Sequence, residues 1–544
     1  MSAEERGAAK LCGDVLTSVR GCMAEVQQGD MNRRLWAGDT SLWPGDAAES
    51  AHRLGWLHLP DAMQSQKDLL RAFSGGIVQE GMHDVVLLGM GGSSLGAEVL
   101  NQVYGSAAGY PRLHVLDSTA PGAIGAVADT IDFARTLFIV SSKSGSTLEP
   151  NLLHEFFAAE VAARTGRDPA RQFAAITDAG TSLERLALKS GFRNVFTNPS
   201  DVGGRYSVLS LFGLVPGATL GMDVSLLLAR AARMAQHCGP DAPADGNPGA
   251  FLGAYLAGCA RVGRDKLTFI TSPALASFGL WAEQLIAEST GKNGRGIIPV
   301  VAEPALEPVD YACDRAFVYL RLRNDDNDAP DNRTWRLADA GFPCLTIDAE
   351  DAYALGGEFF RWEFATAIAG ALLGVNPFDQ PDVQSAKDAS TRVLAHFSAH
   401  GALPSAEAST TPAGVTTRLR PGAYLAIMAY LRQRPETDNV FARLRCRLGT
   451  RHRVSTTVGY GPRFLHSTGQ LHKGGPDEGV FLQIVSAHPD DLTVPGRDYS
   501  FGVVVDAQAM GDLQALVALG RPVARMTIER DEPELLARAL DWLQ

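Results

Sequence analysis

The sequence predicts an α/β protein of three units, each a doubly wound parallel sheet covered by helices on both faces, behind a helical N-terminal segment. Three observations predict it. Short β-branched runs alternate with helical stretches along most of the 544 residues, and segments rich in Pro, Gly and small polar residues at 238–249 and 401–414 divide that alternation into three series. No apolar run reaches the roughly 18 residues that a membrane helix needs.

Residues 3–72 read as helical, broken by turn formers at 29–30 and 43–46, and define an N-terminal segment over 1–78. The first domain, 79–240, has strands at VVLLG (85–89), LHVL (113–116), TLFIVSS (136–142), AAIT (174–177) and VFT (195–197). The second, 246–400, has LTFITS (267–272), GIIPVV (296–301), FVYLRL (317–322) and CLTID (344–348). In the third, 415–544, the expected strands are VFLQIV (480–485), FGVVVD (501–506) and VARMTI (523–528). The absence of a short repeat argues against a solenoid.

Composition excludes several function classes. At 45% hydrophobic and 20% charged the chain is too apolar for a disordered protein, and a net charge of −12 argues against general nucleic-acid binding. A small anion needs only a local positive site. Seven cysteines (Cys12, Cys22, Cys238, Cys259, Cys313, Cys344 and Cys446) form no CxxC pair. They suggest a reducing cytoplasm, without a structural zinc or disulfide framework. The start, MSAEERGAAKLCGDVL, lacks the basic and apolar regions of a signal peptide.

Six segments carry candidate chemistry. GMGGSSLG (89–96) joins a strand to a helix, where glycines admit a ligand to the backbone and the helix N-terminus offers free N–H groups. A dinucleotide site is the competing reading, with Asp117 placed for a ribose, but the third glycine of GxGxxG falls at Ser94; a tight turn is the other. SSKSGSTLEP (141–150) gathers Ser142, Lys143, Ser144, Ser146 and Thr147 at a helix start, chemistry that suits a phosphate dianion, while Ser146 with Glu149 also reads as a capping box.

DVGGRYSVLS (201–210) sets Arg205 behind two glycines, to stabilise an anion or to pair with a carboxylate. WAEQLIAESTGKNGRG (281–296) puts Glu288 in the last turn of a helix ended by Gly291, where helix carbonyls disfavour its charge; Glu283 and Glu303 read as a solvated face and a loop. NPFDQPDVQSAK (376–387) places Lys387 about one turn into a helix. RFLHSTGQLHKGG (463–475) brings His466, His472 and Lys473 into one loop, and histidines six apart make a poor metal pair.

Together these segments resemble the glucose-6-phosphate isomerase family, more narrowly the isomerase half of fused transaldolase/glucose-6-phosphate isomerase proteins. GMGGSSLG, SKSGSTLE, GGRYS, ESTGK and NPFDQPDVQSAK stand in the family's order, and the resemblance runs from RRLWAGDTSLW (33–43) almost to the C-terminus. It implies sugar-isomerase (SIS) α/β domains with an additional C-terminal α/β unit. It also implies that Ser142, Ser144 and Thr147 bind the sugar phosphate, with Lys143 and Ser146 in the same loop. Gly92 and Ser93 would contact the sugar, Arg205 would face the reacting carbons, Glu288 would shuttle the proton and Lys387 would assist ring opening. Around Lys387 the family's DQPGVE reads DQPDVQ, with Asp382 and Gln384 as departures.

The family's histidine lies in an LHSxGQ motif shortly after the base, but here 307–320 has none and LHSTGQ stands at 465–470. His466 therefore takes the role from the third unit, with His472 as runner-up. The implied reaction is interconversion of glucose 6-phosphate and fructose 6-phosphate through ring opening and an enediol, with no metal or redox cofactor. The expected partner is a small sugar phosphate, without nucleic acid or membrane, for a cytoplasmic monomer or homodimer. Alternatives are an isomerase that also accepts mannose 6-phosphate and a non-catalytic sugar-phosphate-binding protein of the same fold. A nicotinamide dehydrogenase lacks its full fingerprint, and the barrel of a transaldolase is not suggested by three separate series.

Overall fold

The computed structural model describes residue 11, residues 13–405 and residues 407–543, so Cys12 and the first ten residues of the N-terminal segment lie outside the described residues. Thirteen strands form three parallel sheets among them. The first has order β2-β1-β3-β4-β5: β1 (Asp84–Gly89), β2 (Arg112–Leu116), β3 (Thr136–Ser141), β4 (Phe173–Asp178) and β5 (Asn194–Asn198). The second has order β7-β6-β8-β9: β6 (Lys266–Thr271), β7 (Ile298–Val300), β8 (Arg315–Leu322) and β9 (Cys344–Ala349). The third has order β11-β10-β12-β13: β10 (Tyr424–Tyr430), β11 (Ser455–Tyr460), β12 (Gly479–Ser486) and β13 (Val523–Ile528).

Period-two alternation sends each central strand into two cores. Val85 and Leu87 of β1 face a core that continues into the second unit through Leu267, Phe269 and Trp281. Val86 and Leu88 face a second core, closed by Val393 and Leu394 of the helix Gln384–His400 and by Phe501 and Val504. The third unit also meets the second, where Ile298 and Val300 join Tyr424, Met428 and Phe481. The N-terminal helix Gly13–Gln28 packs on the helix Pro248–Arg261, Val19 lying against Gly258.

One expectation for the third unit is corrected. FGVVVD is not a strand: it opens the helix Phe501–Ala518, whose N-cap Ser500 accepts the backbone N–H of Val503. A short apolar run cannot by itself separate a buried strand from a helix buried all round, and this helix is buried over most of its surface. The strands YLAIMAY (β10) and STTVGY (β11) take its place in the sheet. In β10 every residue is buried, as in a central parallel strand.

The helices Phe501–Ala518 and Gln384–His400 approach so closely at Gly511 that a Cβ there would lie 2.4 Å from Ser390 Oγ and 2.6 Å from Ser390 N. Gly75, inside the helix Lys67–Gln79, has nothing within 4 Å of the same position. Gly75→Ala should therefore raise the thermal midpoint through helix propensity, about 1 kcal/mol. Gly511→Ala should lower it, since overpacking costs about 1–3 kcal/mol and the clash is with backbone. Calorimetry of both variants checks the opposite signs.

Candidate active site

The first sheet reverses its strand order between β1 and β3, and the register pairs Gly89 with Ser141. The loops GMGGSS and SSKSGST therefore leave the sheet side by side, at the crevice where α/β sheets bind ligands. The glycines are needed for contact. A Cβ on Gly92 would lie 1.9 Å from Gly204 O, and one on Gly91, at φ +54°, would lie 2.7 Å from His466 O. Three loops distant in sequence thus meet backbone to backbone.

In the serine loop the hydroxyls converge. Ser142 Oγ donates to Thr147 Oγ1 at 3.1 Å, and Ser146 Oγ donates to Ser144 Oγ at 3.1 Å. Thr147 is the N-cap of the helix Leu148–Thr165, but no side chain caps that helix. The expected Ser146–Glu149 capping box is absent because Glu149 turns inward to a different partner. Lys143 also turns aside, its ammonium on the Asp178 carboxylate and on Ser200 O at 3.2 Å. What remains is a helix N-terminus without a side-chain cap, with Ser144 and Ser146 exposed beside it, Thr147 half-buried and Ser142 buried beneath.

Glu288 sits in the last turn of the helix Phe278–Thr290, buried, with Oε1 3.3 Å from Arg205 Nη1. Arg205 is caged. It donates to Ser289 Oγ (2.8 Å), Gln380 Oε1 (2.8 Å), Pro377 O (2.5 Å) and Asp379 O (2.9 Å). The same NPFDQ turn holds a second buried cation, Lys292, through Asn376 O, Asp379 O at 2.6 Å and the Asp379 carboxylate at 2.7 Å. Burial, then the charge of Arg205, hold Lys292 down to about 8.

His466 ends a short 3-10 turn, Arg463–His466, that follows β11. Its Nε2 lies 2.9 Å from Glu149 Oε1, which also accepts from Gln508 Nε2 at 2.7 Å. Burial alone would raise the Glu149 pKa, but the His466 ring, the hydrogen bond to it and the charge of Lys387 outweigh that and hold it below the ordinary carboxylate value. An ionised carboxylate there accepts from Nε2–H and leaves Nδ1 as the open ring nitrogen. Gln284 closes the circuit, its Nε2 donating to Glu288 Oε2 (3.1 Å) and to His466 O (2.8 Å). Lys387 is exposed, in the first turn of the helix Gln384–His400.

Glu149, Gln284, Lys292 and Gln508 are the residues that sequence reasoning missed. Gln284 was findable, since it stands four before Glu288 on one helix face. Gln508 was hidden by the strand reading of its segment. Asp117 serves no ribose: it takes Arg463 Nε at 2.8 Å and Ser94 Oγ at 3.2 Å. Glu283 is buried rather than solvated and burial pushes it up to about 8, while the loop residue Glu303 forms a buried pair with Arg315 at 2.8 Å. His472 is a core residue, buried between Phe464 and Phe481.

The family model described as phosphoglucose isomerase matches residues 59–297. A glucose-6-phosphate isomerase of Symbiobacterium thermophilum is 31% identical over 384 residues, 61% of this chain and 85% of that protein. One of Leptospira biflexa is 28% identical over 387 residues, 62% of this chain and 85% of its own. Among solved structures, a hypothetical protein from Thermus thermophilus superposes with a TM-score of 0.62 at 26% identity, covering 71% of this chain and 100% of that one. A glucose-6-phosphate isomerase from Chlamydia trachomatis shares the fold, with a TM-score of 0.54 at 22% identity over 68% of this chain and 78% of its own.

Burial, then Lys473 and Arg521, depress His472 to about 3. Its contribution to stability is complete above the unfolded value of about 6.5 and is lost as pH falls toward 3, because the unfolded chain alone takes up the proton. Between pH 6.5 and 4.5 the wild type should lose up to about 1.4 kcal/mol per pH unit from this group. His472→Leu should lose correspondingly less, as read from urea midpoints across that range.

Proposed function

Since the chain belongs to the glucose-6-phosphate isomerase family, its reaction is the interconversion of glucose 6-phosphate and fructose 6-phosphate, and we propose how the residues above divide its steps. The carrying observation is the unbroken circuit Arg205–Glu288–Gln284–His466–Glu149, which ends directly behind the serine loop. Ser142, Ser144, Ser146 and Thr147, with the helix N-terminus beneath them, bind the sugar phosphate. Lys143 supports that loop through Asp178 rather than touching the phosphate. The phosphate anchors the substrate far from its reacting carbons, so binding energy aligns the sugar chain against Gly92 and Ser93.

His466 Nδ1, with Nε2 held by Glu149, moves the proton between the ring oxygen and the anomeric hydroxyl, and Lys387 lends a positive charge on the same side. Glu288 then takes the proton from carbon two and returns it to carbon one. Arg205, held rigid by its cage, stabilises the enediolate without having to reorganise. The third unit thus completes the site within one chain, which a monomer or a homodimer could equally use. The reducing cytoplasm suggested by the scattered cysteines is the location proposed for it.

Two assays separate the steps. A coupled assay reads isomerisation, and exchange NMR reads the α-to-β anomerisation of glucose 6-phosphate, which needs ring opening but no transfer at carbon two. Glu288→Gln should lose about 10²–10⁴-fold in isomerisation and keep catalysed anomerisation. His466→Ala should lose both. Full isomerisation by Glu288→Gln would sink the base assignment.

A further inference from the structure

The turn that delivers His466 begins with Arg463, which no step above uses. Its Nε donates to Asp117 Oδ2 at 2.8 Å and its Nη1 to Gln433 Oε1 at 2.9 Å. Asp117 follows β2 and its side chain is only 3% exposed. The same Oδ2 accepts Ser94 Oγ at 3.2 Å, and Ser94 adjoins Ser93 in the loop that would contact the sugar. One carboxylate oxygen of the first unit therefore holds both the sugar loop and the histidine turn.

His466 has two other supports, its ring nitrogen on Glu149 and its carbonyl on Gln284. The buried ring of Phe464 anchors the middle of the turn, and a shift of the turn's start about that anchor swings Nδ1 away from any fixed sugar oxygen. A polar tie at the start of the turn opposes that shift. We propose that the Asp117–Arg463 ion pair is this tie, a latch that positions His466 for ring opening; both are positioning residues. The inference rests on the reading that His466 opens the ring. The rival is a plain bridge between units, of the kind made by the exposed pair Arg497–Glu155 at 2.7 Å.

The test measures catalysed anomerisation of glucose 6-phosphate, together with binding of acyclic sorbitol 6-phosphate, which needs no ring opening. Arg463→Met should lower anomerisation by about tenfold or more, as small misplacements of catalytic groups do, and leave sorbitol 6-phosphate binding within about twofold. Arg463→Lys should recover part of the loss. Arg463 lines an inter-unit cavity of about 280 Å³, so guanidinium ion should recover activity in Arg463→Ala. Arg497→Ala should change neither readout. Wild-type anomerisation in Arg463→Met, or a proportional loss of anomerisation and binding, overturns the latch. If His466→Ala keeps anomerisation, the ring-opening reading fails and the latch with it; if His466→Ala loses it while Arg463→Met does not, the latch alone fails. Should Arg463→Met not fold, Arg463→Gln must show the same selective loss, and its absence there overturns the proposal.

Discussion

The site depends on one buried carboxylate. Glu149 stands in the first turn of the helix beneath the serine loop, and its partners His466 and Gln508 lie 317 and 359 positions along the chain. Leaving a buried charge unpaired costs about 3–5 kcal/mol, more than most surface contacts supply together. The serine loop of the first unit is therefore backed by a carboxylate whose partners His466 and Gln508 come from the third unit. The dependence also runs the other way: the carboxylate fixes which nitrogen of His466 is open. On the proposed division of roles, binding and ring opening are thus coupled through a single group.

A second constraint explains why the middle of the site is rigid. Arg205 and Lys292 are two cations in one buried volume, and among the described residues Glu288 and Asp379 are the carboxylates paired with them. The balance comes from backbone, since Asn376 O, Pro377 O and Asp379 O all point at the two heads. Carbonyls held in one turn cannot relax as solvent would, so the guanidinium is fixed beside Glu288. Asp382, a departure from the family's glycine, fits the same logic. Its N–H donates to Gln470 Oε1 at 2.9 Å and its carboxylate accepts from Gln470 Nε2, so the LHSTGQ motif and the NPFDQ turn are tied by the residue that looked anomalous.

Much of this was legible residue by residue, and the failures have a common cause. The nine strands of the first two sheets are short β-branched runs bounded by turn formers, so local pattern suffices for them. Glu288, Arg205 and His466 could be named through the resemblance, because their motifs match the family's, whereas local chemistry alone left a carboxylate-paired arginine and a structural histidine open. Local pattern fails where tertiary contact decides. FGVVVD is as apolar as a strand and becomes a helix because Ser500 caps it and the neighbouring units cover it all round. Ser146 and Glu149 have capping-box spacing, yet a histidine from another unit claims the carboxylate. Glu283 has no local sign of burial at all.

The three sheets wind alike, with the first strand flanked by the second and third, but only one of them holds the hydroxyl loop. After the third strand the first unit has Ser142 to Thr147, whereas the second has Asp325 and Asp326 and the third has Asp490 and Asp491. Acidic loops repel a phosphate dianion, so charge favours the first crevice over the other two for the proposed phosphate site. The crevice beside β6 and β7, lined by Thr271, Ala302 and Glu303, contains none of the site residues. The second unit contributes instead the far end of a crossover helix, and the third contributes the turn after β11. On the proposed division of roles, three copies of one winding thus deliver three different things to one point, an anion site, a base and an acid. Because each arrives from a separate sheet, it is the packing between units, and the few buried polar contacts that fix it, that sets the geometry of the reaction.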